Sequence, residues 1–169
     1  MDTTRPSVAQ ASSADGPASP ADALPRGCSN LKLRQADRVV SRHYDHAMAS
    51  TGLKTSQYSL LSHIAKLQPV RPADLARHMA LEPSSLTRNL QPLVAQGWVV
   101  VGPGQDGRSR EVRLTDTGRA KRSEAQRAWK RAQLSFNDRL GPARVAQLHA
   151  LLDDCLAVLG EPEGLERPA

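Results

Sequence analysis

Ser84, Ser85, Thr87, Arg88, Asn89 and Gln91 crowd one short run, and Arg108 and Arg110 alternate in a glycine-bearing loop further on. Hydroxyls, carboxamides and guanidinium groups are donors and acceptors rather than nucleophiles. Grouped on one side of a helix, they suit hydrogen bonding to base edges in a DNA major groove. Arginines in a hairpin loop suit the flanking phosphates or the minor groove.

Catalytic chemistry finds no comparable grouping. There is no HExxH, no GxSxG elbow, no phosphate-binding loop ending in Gly-Lys-Ser/Thr, and no convergent pair of carboxylates on one helix face. The expectation is a protein that is not an enzyme and needs no cofactor. Gly102, Gly104 and Gly107 match a GxGxxG pattern by letter, but a β-alternating segment follows where a dinucleotide site needs a helix. His43 and His46 lie three apart on one helical face without a third ligand, so no metal site is expected.

The polar run needs a scaffold, and the periodicity supplies one. A short helix is predicted at Pro72–Ala80 with Leu75, Ala76 and Met79 inward. A second follows at about Pro83–Gln96, with Leu86, Leu90, Leu93 and Val94 inward and Ser84, Ser85, Arg88 and Gln91 outward. Pro72 and Pro83 fit first helical turns, where the missing N–H is not needed. Pro92 falls inside the second helix and is expected to bend or loosen the turn before it. Gly97 closes that helix. Trp98–Val101 and the segment around Val112 and Leu114 read as two strands joined by the loop Gly102–Arg110, with Arg113 in the second strand.

Flanking helices are predicted at 29–50 with Ser29 as cap, from Thr55 as cap to the stop at Pro69, at 116–139 with Thr115 as cap, and at Pro142–Leu159. The first carries Leu33, Ala36, Val40, Tyr44 and Ala47 on one face. The last carries Val145, Leu148, Leu151, Leu152, Cys155, Leu156 and Leu159, with Cys155 read as core. These stripes exceed what the central unit can cover, so a second copy of the chain is the expected partner. The expected divisions are a disordered tail at 1–27, a helical dimerisation region at 28–54 and 119–160, a DNA-binding unit at 55–118, and a flexible tail at 161–169.

With one Phe, two Tyr and two Trp in 169 residues, the core must be built mainly of Leu, Val and Ala, which favours helices. The formal charge of +6 fits an anionic partner. Cys28 and Cys155 form no CxxC pair, and no run of apolar residues is long enough to span a bilayer, so a cytoplasmic protein without membrane attachment is expected. Cys28 precedes the first helix, with the N-terminal end of the helix dipole, Arg26 and Lys32 near it in sequence.

Five segments together resemble the MarR family of winged helix-turn-helix regulators. They are Arg71–Arg77, Ser85–Leu90 with Leu93, Gly97–Val99, Asp106–Arg110 and Leu114–Gly118, within residues 29–159. The resemblance implies a mainly α fold with a two-stranded β wing and a dimerisation region of N- and C-terminal helices. It also implies a homodimer that binds double-stranded DNA at a pseudo-palindromic operator, as a repressor in most cases. By position, Ser84, Ser85, Thr87, Arg88, Asn89 and Gln91 fall on the recognition helix and Arg108 and Arg110 on the wing, with Asp106 supporting the wing arginines. The family further implies a small phenolic or aromatic carboxylate effector, for which Arg38, Tyr44, His63 and Trp129 are the candidate contacts, or oxidation at Cys28. The competing reading is a winged protein-interaction module that does not read DNA.

Overall fold

The computed structural model describes residues 26–104 and 107–160. The order is α1 (Ser29–Met48), a 3-10 turn (Ala49–Thr51), α2 (Thr55–Leu67), α3 (Pro72–His78), α4 (Pro83–Ala95), β1 (Val99–Pro103), β2 (Arg110–Leu114), α5 (Asp116–Leu140) and α6 (Pro142–Leu159). The architecture is mainly α with one two-stranded antiparallel sheet, the winged helix-turn-helix expected. The tails expected at 1–27 and 161–169 fall outside the described residues, apart from Arg26 and Gly27.

Two helix starts differ from expectation. Cys28 occupies the cap position of α1 without a side-chain cap, and Ser29 is already helical. Thr55 is likewise the first residue of α2, after Lys54. Its N–H donates to Asp45 Oδ1 of α1 at 2.7 Å, while Gln57 Oε1 accepts from the Lys54 N–H at 2.9 Å. A carboxylate from another helix thus satisfies one of the N–H groups that the start of α2 leaves without a helical acceptor.

Pro92 does not interrupt α4, which runs unbroken to Ala95. The ring leaves the Arg88 carbonyl without its helical donor, but Leu90 and Leu93 on either side are buried and hold the turn. The helix ends in a Schellman motif: Gly97 N–H donates to Val94 O at 2.9 Å and Trp98 N–H to Leu93 O at 3.0 Å. That closure needs a left-handed residue, and Gly97 has φ 70°.

The core lies under the wing. Leu60, Leu61 and Ile64 of α2, Leu75 and Ala76 of α3, Leu86, Leu90 and Leu93 of α4, and Val99, Val112 and Leu114 of the sheet form one buried cluster. Ala125 and Ala128 bring α5 close against it. Each buried aliphatic side chain contributes about 1.5–3 kcal/mol. The sheet register runs from Val99↔Leu114 to Pro103↔Arg110. Val70 adds an isolated bridge to Val112, donating at 3.4 Å and accepting at 2.8 Å, which ties the α2–α3 connection to the wing base.

Two inward assignments are corrected. Val94 is 41% exposed, in the wall of a groove between α4 and β1. Cys155 is exposed on α6, whose Leu151, Leu156 and Leu159 are also exposed, as are Leu31, Leu33 and Val39 of α1. Where α1 does pack on α5, Tyr44 donates its hydroxyl to Gln133 Oε1 at 2.7 Å, and burial raises its pKa.

Candidate nucleic-acid interface

The outward face of α4 follows from its inward one. With Leu86, Leu90 and Leu93 buried, the helical period turns Ser84, Thr87, Arg88, Asn89 and Gln91 to solvent, with Ser85 half-buried at the edge. The Thr87 hydroxyl donates back to Pro83 O at 2.9 Å and the Arg88 Nε to Ser84 O at 3.5 Å, so both side chains lie along the helix here. No acidic residue interrupts α4.

The hairpin carries the second group. Gly104 N–H donates to Ser109 O at 2.7 Å and Gly107 N–H to Gly104 O at 3.0 Å, closing the loop between the strands. Arg108 is exposed in that loop, and Arg110 opens β2 with a long 3.5 Å contact to Val101 O. Arg113 is committed elsewhere, to Glu111 at 2.6 Å. No helix follows Gly107, which disposes of the dinucleotide pattern. The support expected of Asp106 falls outside the described residues.

The wing is fixed to the body by a hub at Gly97. Its carbonyl accepts from Thr115 Oγ1 at 2.7 Å and from Thr117 Oγ1 at 3.0 Å, while Thr115 Oγ1 also accepts from Gly118 N–H at 3.0 Å as the α5 cap. The end of α4, the exit from β2 and the start of α5 are therefore tied together at one point.

Two concavities border α4. An apolar groove of 920 Å³ runs between α4 and β1, with Val94, Val100 and Val101 in its walls and Thr87 and Arg110 at polar positions. A smaller cavity of 240 Å³ lies on the side facing α2, lined by Lys54, Ser56, Gln57, Arg88, Asn89 and Pro92. The sequence reading missed Lys54, Ser56 and Gln57, since only the packing of α2 beside α4 brings them to Arg88.

Arg38, Tyr44, His63 and Trp129, the candidate effector contacts, are not drawn into either concavity. Tyr44 sits on the α1–α5 contact beside His43 and Phe136. Trp129 packs against Tyr58 with ring centroids 5.9 Å apart, and His63 Nδ1 lies 2.8 Å from Ser59 O. Arg38 is exposed on α1. His43 Nε2 lies 3.1 Å from Ala132 O. Cys28 is exposed.

A family model described as MarR family matches residues 51–109, which take in α2 through the hairpin loop. The M. tuberculosis transcriptional regulator MosR, in a crystal structure with DNA, is 30% identical with a TM-score of 0.68, over 80% of this chain and 100% of that one. The chain belongs to the MarR family. Wild-type MarR from E. coli in its apo form shares the fold at 22% identity and a TM-score of 0.62, over 78% of this chain and 99% of that one. An HTH-type transcriptional regulator of Bacillus subtilis, YwoH, is 26% identical over 93 residues, which is 55% of this chain and 68% of that protein. The MarR-family assignment makes this chain a transcriptional regulator and not an enzyme. Among the described residues, no helix is long and apolar enough to cross a membrane.

Proposed function

We propose that the protein is a homodimeric repressor that binds a pseudo-palindromic DNA operator with α4 in the major groove and the Arg108–Arg110 hairpin on the flanking backbone. The observation that carries this reading is the division of α4 into a buried leucine face and an acid-free polar face. MosR, similar along its whole length, has been solved in complex with DNA. The exposed aliphatic side chains that recur along α1 and α6 among the described residues support a second copy as partner, since an apolar helix face favours burial against another surface. A two-fold dimer would set its recognition helices about 34 Å apart, one turn of duplex. Release by a small phenolic or aromatic carboxylate ligand, or by oxidation at Cys28, completes the reading.

Selection of bound sequences from random duplexes by the purified protein tests it. An inverted repeat with half-sites about one helical turn apart is the expected product. No retention of any duplex at moderate salt would defeat the reading in favour of a protein-interaction module. Release is tested separately, with benzoate and hydroxybenzoates, and with peroxide on the native chain and on Cys28→Ser.

A further inference from the structure

The smaller cavity beside α4 has a composition that the exposed face of the recognition helix does not explain. Its wall joins two helices: Lys54, Ser56 and Gln57 from the start of α2, and Arg88, Asn89 and Pro92 from the middle of α4. Two cations, two carboxamides and a hydroxyl meet there without a carboxylate. Neither Lys54 nor Arg88 has an acidic partner among the described residues. Two like charges brought together on packed helices repel each other and raise the local positive potential, so the cavity favours an anion.

The surroundings give the cavity a fixed shape. Lys54 lies in extended backbone, its N–H held by Gln57 Oε1 at 2.9 Å, and the next N–H, that of Thr55, is held by Asp45 at 2.7 Å. These two bonds fix the first turn of α2, with Ser56 and Gln57 both on the wall. On the other side α4 stays helical through Pro92, which completes the wall below Arg88. The Lys54 and Arg88 side chains are exposed enough to close on a ligand that arrives from solvent.

We propose that this cavity seats one backbone phosphate of the bound duplex, held by the Lys54 ammonium and the Arg88 guanidinium, with Ser56 and Asn89 donating to its remaining oxygens. This rests on the DNA-binding reading above and goes beyond it in two respects. It makes the start of α2 part of the interface, and it makes Arg88 a positioning contact rather than a reader of bases. A phosphate clamped between α2 and α4 sets how deeply the recognition helix sits in the groove, and leaves Ser84, Ser85 and Gln91 to meet base edges.

The experiment measures binding of the full chain to its selected duplex as a function of salt, for the native protein, Lys54→Gln and Arg88→Gln. Both positions are exposed, so the variants are expected to fold, which thermal melts check. Each variant is expected to lower affinity about tenfold and to reduce the salt slope by about 0.9 for each phosphate no longer neutralised. The fall in affinity should be equal on cognate and mismatched duplexes. A duplex in which one phosphate is replaced by a neutral methylphosphonate then locates the seat: at that position the native protein weakens and Lys54→Gln does not weaken further. A Lys54→Gln protein with native slope and affinity overturns the phosphate seat while the DNA reading stands. Base-selective weakening in Arg88→Gln overturns its positioning role. A native protein that retains no duplex removes the DNA reading and the seat together.

Discussion

A Cβ built on Gly118 would lie 1.9 Å from the carbonyl oxygen of Trp98, so the first turn of α5 rests directly on the backbone that enters β1. No side chain fits there, and the obstructing atom is main chain that Thr115 N–H already bonds at 3.1 Å. Gly118→Ala must push α5 away from the wing hub. A loss of about 3 kcal/mol or more is expected, seen as a fall on the order of 10 °C in melting temperature at fixed protein concentration. Gly97→Ala is the control: its Cβ would meet nothing within 4 Å, so only the left-handed φ of 70° penalises it, by about 1–2 kcal/mol. Equal losses from the two variants would contradict the close approach.

Thr115→Val keeps the shape of the side chain and removes its hydroxyl. That group caps α5 through Gly118 N–H and donates to Gly97 O. The expected loss is about 1–2 kcal/mol. Thr117→Val, which removes the second contact to Gly97 O and the 2.8 Å hydroxyl contact to Thr115 but leaves the α5 cap, should lose less. Chemical denaturation of both variants orders them, and a larger loss from Thr117→Val would place the hub elsewhere.

The adjacent positions Leu93 and Val94 show what was legible in the sequence. Spacing marked both as inward, yet Leu93 is fully buried and Val94 is 41% exposed. Periodicity assigns a face to a helix but does not say whether a neighbour covers all of it, and here a groove between α4 and β1 leaves Val94 open. Leu93→Ala is expected to cost about 2–5 kcal/mol, and Val94→Ala less than about 0.5 kcal/mol. Urea denaturation separates them, and comparable losses would restore Val94 to the core.

Local signals decided most of what was read correctly. Gly141 and Pro142 place the α5–α6 break, Gly97 ends α4, and alternation of Val112 and Leu114 with Arg113 gives β2. What sequence left hidden depends on contacts between distant residues. Asp45 of α1 accepts from the Thr55 N–H, Val70 pairs with Val112 through a single bridge, and Lys54 and Arg88 line one cavity only because α2 packs beside α4. Cys155 fell among leucines at helical spacing, a pattern that a core and an interface share.

Tyr44 makes stability depend on alkaline pH. Burial raises its pKa, so the folded state favours the neutral phenol that donates to Gln133. The sign is fixed by linkage: this stability is fully present below the unfolded-state pKa, about 10, and is lost as pH rises through the higher folded-state value. Tyr44→Phe lacks the hydrogen bond, so it should be less stable at neutral pH by about 1 kcal/mol, with the difference shrinking above about pH 10. Melting curves of both proteins from neutral to strongly alkaline pH test this. A constant difference would mean that Tyr44 titrates alike in both states.

On the wing, Arg108 and Arg110 occupy different places in the hairpin. Arg110 opens β2, makes a 3.5 Å contact to Val101 O and lines the apolar groove, and Arg108 lies in the loop between the strands with its side chain exposed. A phosphate contact from the loop adds affinity without reading sequence. Arg108→Ala should therefore weaken binding several-fold on every duplex and reduce the salt slope by about 0.9 if the side chain neutralises one phosphate. Arg110→Ala should weaken it less, since Arg110 is paired into the sheet opposite Pro103 at the base of the loop and lines the groove beside α4. Anisotropy titrations of labelled duplex at several salt concentrations give both quantities, and an unchanged slope in Arg108→Ala would take the wing out of the interface.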